Sequence, residues 1–221
     1  MPQTSSSDIP IWQATAQQRQ QLLDYLQALP AKAWNHDSLC DGWQVRHVVA
    51  HIILESRYSP LGSLPGFVQS GLSFNVFMQR AAVELGRNDP EMLLGLLRED
   101  IPKQVTPILV KPVHVLSDLL IHWQDIAIPL ERPHTIERPV LELVFKHWRP
   151  SPLSLSERLA GTTRLIRGLS LAADDIGWRY GRGPLVRGAA QDLLLALGGR
   201  RASLPRLAGD GLPTLARRLG A

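Results

Sequence analysis

Histidines and carboxylates at helical spacing are the residues of this chain best suited to chemistry. His114, Asp118, His122 and Asp125 follow one another at intervals of 4, 4 and 3, which lines them along one face of a helix. Between them stand Val115, Leu116, Leu119, Leu120, Ile121, Trp123 and Ile126. On so apolar a helix, a polar stripe that faces inward must be paired or bound to a metal, because isolated buried polar groups are costly. His47 and His51 are also 4 apart, on another helical stretch. A carboxylate and an imidazole one turn apart can chelate one ion, and a histidine from a neighbouring helix would complete three protein ligands. Zinc takes such donors at about 2.0–2.2 Å, and three ligands leave a position open, the pattern of a catalytic centre. Two histidines and a carboxylate also suit non-haem iron, so spacing alone leaves the metal open. Hydrogen-bonded core histidines without a metal are the competing account, and periodicity does not separate the two.

The elements that must position these groups read as helices through the first half. Gln13–Leu29 carries Leu22, Leu23, Leu26 and Leu29 at spacings of three and four. A turn-rich loop, Asn35–Gly42, precedes a helix from about Trp43 to Tyr58, with Asp41 or Ser38 as its expected cap. After a loop at Ser59–Gly66, a third helix is expected over Phe67–Gly86 and a fourth from Asn88-Asp89-Pro90, with proline in the first turn. Pro107 and Pro112 bracket a connector to the helix Val113–Ile128, which Pro129 stops. These four or five helices with short connections predict an antiparallel bundle of the four-helix bundle type over residues 1–131. Residues 132–157 read as a connecting helix or linker, with a helix at Glu137–Trp148 ended by Pro150. Residues 158–221 read as a small α+β domain, with strands at Arg164–Ala172 and around Trp178–Tyr180, a turn at Gly183-Pro184, and helices at Ala189–Leu197 and Asp210–Leu219.

Composition sets the class. The 221 residues are 44% hydrophobic and 20% charged, an ordinary globular balance. The apolar run Val48–Leu54 is broken by His51 and falls far short of the ~18 residues of a membrane span. The start, MPQTSSSDIP, shows no basic and apolar leader, and one cysteine, Cys40, makes no internal disulfide. A soluble cytoplasmic protein is the expectation, as monomer or homodimer. The sequence pI of 9.6 invites a nucleic-acid reading. The charge is split, however: residues 132–221 hold 15 basic and 7 acidic side chains, net +8, against −4 for residues 1–131. Its basic residues come singly or in pairs, as Arg200-Arg201 and Arg217-Arg218, without an aromatic-interleaved stripe. That distribution fits a small anionic ligand better than nucleic acid.

Three segments resemble one family. Ser38–Ile52 (SLCDGWQVRHVVAHI) is similar to the "LCxGWxVRDVVAHL" signature of the mycothiol-dependent maleylpyruvate isomerase family, within the DinB/YfiT-like metalloprotein superfamily. Asp118–Ile126 followed by Pro129-Leu130 resembles its "[DE]xxxHxQDIxxPL" element. The run from Trp178 to Gly188, then Leu193–Arg200 and Leu207–Gly211, resembles its "WxxGxGPxVRG…LLLALxGR…LxGDG" tail. The resemblance implies a DinB-like helical bundle followed by a small α+β domain, with His51, Asp118 and His122 as ligands of one divalent metal, zinc first, nickel or iron as alternatives. Isomerases of the family often carry Glu where this chain has Asp118, and His47 stands where the motif usually has Asp. It further implies that mycothiol or another low-molecular-weight thiol is activated for isomerisation or S-transfer on a small electrophilic, carboxylate-bearing substrate. Arg200 is then the expected carboxylate clamp, with Arg182 and Arg187 as further cationic groups for the thiol. Asp125, in the same stripe, joins Arg200 as a catalytic candidate, supporting the ligands from behind. Cys40 reads as a small hydrophobe rather than a nucleophile. A non-catalytic metal- or ligand-binding protein of the same fold is the alternative.

Overall fold

A computed structural model describes residues 8–57, 74–106, 110–148 and 162–221. The chain divides into two compact units, Met1–His134 and Thr135–Ala221. The loop at Ser59–Gly66, the start of the Phe67–Gly86 stretch, Pro107 and Pro150 lie outside the described residues.

The first unit is helical. Helix α1 (Ile9–Gln27) begins ahead of the expected Gln13, because Pro10 fits its first turn and Ile11 and Trp12 already face the core. Leu22, Leu23 and Leu26 continue that face, and a 3-10 turn at Ala31–Asn35 buries Ala33 and Trp34. Helix α2 (Val45–Glu55) starts after an N-cap at Gln44, not at Asp41 or Ser38. The His47 Nδ1 accepts the Gln44 backbone N–H at 3.1 Å, closing a capping box. Helices α3 (Phe74–Leu85), α4 (Pro90–Asp100) and α5 (Pro112–Ala127) follow, the last two with proline in the first turn.

Helices α1, α2, α4 and α5 share one core, built from Leu22 and Leu26, Val49 and Ile53, Leu93 and Leu97, and Leu119, Trp123 and Ile126. Helix α3 packs on α2. A Cβ at Gly86 would lie 2.6 Å from His47 Cδ2 and 2.9 Å from the Ala82 carbonyl oxygen, so only glycine permits that approach. One cation is built into the unit. Arg19 is 2% exposed and donates at 2.8 Å to the carbonyls of Asp100 and Lys103 and to Ser56 Oγ. It ties α1 to the ends of α4 and α2.

In the second unit, α6 (Arg138–His147) precedes a short helix α7 (Thr162–Ile166). The strand expected over Arg164–Ala172 is therefore shorter: Arg164, Leu165 and Ile166 finish α7, and β1 is Ser170–Ala173. Strands β2 (Trp178–Gly181) and β3 (Leu185–Gly188) flank it in the order β2-β1-β3, antiparallel to β2 and parallel to β3. The register pairs Leu171 with Tyr180 and with Val186. Gly183 turns the chain from β2 to β3 at φ 129°, where a Cβ would strike the Gly168 carbonyl. Helix α8 (Ala190–Leu197), a 3-10 turn (Arg201–Arg206) and α9 (Leu212–Arg218) complete the unit. The architecture is a helical bundle followed by a small α+β unit, as the spacing predicts.

Candidate metal centre

Two helices and one loop build the site in the first unit. On α5, Asp118 and His122 are one turn apart, and the His122 Nε2 lies 3.3 Å from Asp118 Oδ2. On α2, His51 points across, with Nε2 3.5 Å from the same Asp118 oxygen. One ligand atom from each of the three lies within 4.8 Å of the others. The His51 and His122 rings meet edge to face with centroids 4.6 Å apart, and the Trp43 ring is tilted against His51 at 5.5 Å.

These separations discriminate. A charge-assisted N–H···O hydrogen bond is about 2.7–2.9 Å. The edge of a tetrahedron with metal–ligand bonds of about 2.05 Å is about 3.3 Å. Both Asp118 distances match the edge rather than the hydrogen bond. The side chains of His51 and Asp118 are 15% and 35% exposed, but Asp118 Oδ2, the atom that faces both histidines, is itself buried.

Behind His122 the site is closed. Its Nδ1 is 2.9 Å from Asp125 Oδ2, and Asp125 is 0% exposed. Asp125 Oδ2 therefore faces the imidazole Nδ1 while Nε2 faces Asp118, the arrangement that orients metal-bound histidines. Burial opposes a proton on His122, but the Asp118 and Asp125 carboxylates and the Cys40 contact outweigh it and hold its pKa well above the ordinary histidine value.

The loop before α2 is a compact turn. Trp43 N–H bonds the Cys40 carbonyl at 2.9 Å with Gly42 at φ 74°, the left-handed position glycine allows. Leu39 N–H donates to the Asp125 carbonyl at 3.1 Å, docking the loop on the end of α5. This brings Cys40 Sγ to 3.1 Å from Asp125 Oδ2 and 3.8 Å from His122 Nδ1. The sequence reading treats Cys40 as a small hydrophobe; the structure gives it a polar partner. Nothing in its spacing announces that, because the loop is what carries it to α5.

Glu55 is the other group that sequence reasoning passes over. It stands four residues after His51 on α2, a spacing that places it one turn further along the same face. Its carboxyl hydrogen-bonds Asp118. Desolvation, with the Asp118 carboxylate beside it, pushes its pKa well above the usual carboxylate range. His47 is engaged in the capping box, and neither it nor His114 belongs to a group of candidate ligands among the described residues.

The three arginines lie in the second unit. Arg182 is exposed between β2 and β3. Arg187 Nε sits 2.9 Å from Asp174 Oδ2, a pairing that raises its pKa. Arg200 is half-buried ahead of the second 3-10 turn and donates to the Gly198 carbonyl.

A helical bundle with a His₂–carboxylate cluster on facing helices, followed by a small mixed sheet, has the DinB-like fold. Residues 15–105 match the family model described as the mycothiol maleylpyruvate isomerase N-terminal domain. Two solved structures share the fold. One is a single-residue variant of the mycothiol-dependent maleylpyruvate isomerase, at 12% identity and TM-score 0.58, covering 91% of this chain and 92% of that one. The other is the mycothiol-dependent maleylpyruvate isomerase itself, at 12% identity and TM-score 0.52 with the same coverage. No curated protein sequence matches the chain. Residues 15–105 thus match the family that the motifs of Ser38–Ile52 resemble. The family match takes in His51, while Asp118 and His122 lie beyond it. No helix among the described residues is long and apolar enough to cross a membrane.

Proposed function

We propose that His51, Asp118 and His122 hold one divalent metal ion, zinc by preference, and that the protein uses it with a low-molecular-weight thiol, mycothiol by the family its N-terminal segment matches, to isomerise a small electrophile or to transfer the thiol to it. The observation that carries this reading is the pair of separations around Asp118 Oδ2, 3.3 Å to His122 and 3.5 Å to His51, which fit a shared ion. Bound there, a divalent cation would lower the pKa of a thiol at its open position, so that the thiolate exists at neutral pH.

The chain's own residues have distinct parts. Asp125 holds the Nδ1 proton of His122 and leaves Nε2 as the donor to the ion. Trp43 and His122 both pack against the His51 ring. Glu55 supports Asp118 from α2. Arg200 is the proposed partner of a substrate carboxylate, and Arg182 and Arg187 the proposed cations for the thiol. For a cis-alkene conjugated to a carbonyl, the thiolate sulfur bonds one alkene carbon and the electron pair moves to the carbonyl oxygen as an enolate. The resulting single bond rotates, and collapse of the enolate expels the thiolate and restores the alkene as trans. For a substrate with a leaving group, the same attack ends in S-transfer. Holding both reactants supplies rate beyond the pKa effect.

Metal analysis of the purified protein is the first test. One equivalent of metal in the wild type, lost in His51→Ala, Asp118→Ala and His122→Ala, is the expected result; full occupancy in all three variants removes the reading. Cobalt-substituted protein should then gain a sulfur-to-metal charge-transfer band with mycothiol. No change with mycothiol, glutathione or bacillithiol would leave a metal protein that does not use a thiol. Arg200→Ala should raise KM for a carboxylate-bearing substrate.

A further inference from the structure

The turn that precedes α2 grips Asp125 twice. Leu39 donates its backbone N–H to the Asp125 carbonyl, and the next residue, Cys40, brings its Sγ to 3.1 Å from Asp125 Oδ2. That same oxygen is 2.9 Å from His122 Nδ1. We propose that Cys40 is a positioning residue of the metal centre: its S–H donates to Asp125, and Asp125 in turn fixes His122.

Three observations carry the assignment. First, Asp125 is 0% exposed, so the protein itself must supply its donors. Second, Cys40 is delivered by a rigid turn. Its backbone N–H donates to Ser38 Oγ at 3.1 Å, Ser38 Oγ donates to the Trp43 carbonyl at 2.7 Å, and Trp43 N–H returns to the Cys40 carbonyl at 2.9 Å. Third, the distances are those of hydrogen bonds. Cys40, His122 and Asp125 offer ligand atoms within 4.8 Å of one another and so form a second set able to hold an ion. A thiolate and a carboxylate on one tetrahedral ion stand about 3.5 Å apart, however. The observed 3.1 Å and 2.9 Å are shorter and describe a relay from thiol to carboxylate to imidazole. A relay at this place commits His122 Nδ1 to the protein and Nε2 to the side where Asp118 and His51 lie.

The inference rests on the proposed metal reading, and two measurements on the full chain keep their failures apart. Metal-free protein is examined by proton–nitrogen correlation NMR of the His122 Nδ1–H group, in wild type, Cys40→Ser, Cys40→Ala and Cys40→Val. Zinc affinity is measured on the same proteins by competition with a chelator. Cys40→Ser keeps a donor and should leave the Nδ1–H resonance near its wild-type position. Its affinity should stay within about threefold of wild type, whereas Cys40→Ala and Cys40→Val should shift the resonance and weaken zinc by about tenfold. Valine fills the space without a donor, so it separates hydrogen bonding from packing if the alanine variant folds poorly. An unmoved resonance with unchanged affinity in Cys40→Val overturns the proposal. Equal loss in the serine and valine variants overturns it too. With a sulfur-to-cobalt band in the wild type free of added thiol, that result makes Cys40 a ligand; without the band, it makes the thiol a packing group. A wild type that binds no zinc defeats the metal reading, while the NMR arm still decides the relay.

Discussion

Asp125 meets His122 across one turn of α5, Oδ2 to Nδ1 at 2.9 Å, with 0% and 9% of the two side chains exposed. The pair is local in sequence, one turn apart on the helix. It sets the direction of the second ring nitrogen, while the loop before α2 reaches the same carboxylate oxygen through Cys40. Asp125→Asn removes the charge and keeps the size. Zinc affinity should fall by about 10- to 100-fold, measured by chelator competition. In the metal-free variant the His122 pKa should drop toward the ordinary value, read by NMR titration.

The pH dependence of the metal-free protein follows from two raised groups. His122 and Glu55 both have folded-state pKa values well above their ordinary ones. For either group, the stabilising contribution is complete below its unfolded pKa and is lost as pH rises through the folded value. Metal-free protein should therefore melt at a higher temperature in mild acid than at alkaline pH. The histidine part of the loss begins above about pH 6.5. Glu55→Gln should flatten the curve at its acidic end. Zinc takes His122 neutral at Nε2, so its binding to the protonated imidazole should release a proton, visible in weakly buffered solution. A melting temperature that climbs steadily with pH would contradict this.

Gly86, just past the end of α3, lies against His47 of α2. An alanine there would place its Cβ 2.6 Å from His47 Cδ2 and 2.9 Å from a backbone oxygen. Gly86→Ala should destabilise by about 1–3 kcal/mol in denaturant titration. The double variant Gly86→Ala/His47→Ala should recover part of that loss, because one of the two clashes is gone.

Arg19 supplies three hydrogen bonds from a site 2% exposed. Arg19→Met keeps the stem and leaves two carbonyls without their donor. The expected cost is about 2–4 kcal/mol by equilibrium unfolding. Arg19→Lys should recover little of it, since one ammonium does not span the three acceptors as the planar guanidinium does.

Much of the candidate site was readable in the sequence because α5 carries most of it. Intervals of 4 and 3 between Asp118, His122 and Asp125 are a helical signal, and the apolar residues between them tell that the helix is enclosed. His51 was recognisable through its motif, and the structure brings it to Asp118. Cys40 was opaque, because its partner is set by how a turn docks on another helix, a long-range relation that leaves no period. Glu55 was overlooked for a different reason: one carboxylate on an amphipathic helix reads as solvated until the facing helix supplies Asp118. In the second unit, β1 is only Ser170–Ala173, too short for alternation to stand out, and the end of α7 reads as part of it. Strand β3 is equally short and follows a Gly-Pro turn that hid its start.

The division of ligands between helices has a kinetic corollary. Asp118 and His122 come from α5, and His51 comes from α2, far earlier in the chain. An ion held by all three would staple two distant stretches of polypeptide, closing a long loop much as a crosslink does. α2 could not peel from α5 without first surrendering a ligand. Metal loading should therefore lengthen the lifetime of the native state by slowing unfolding. The refolding rate should stay nearly unchanged if the two helices dock after the folding barrier.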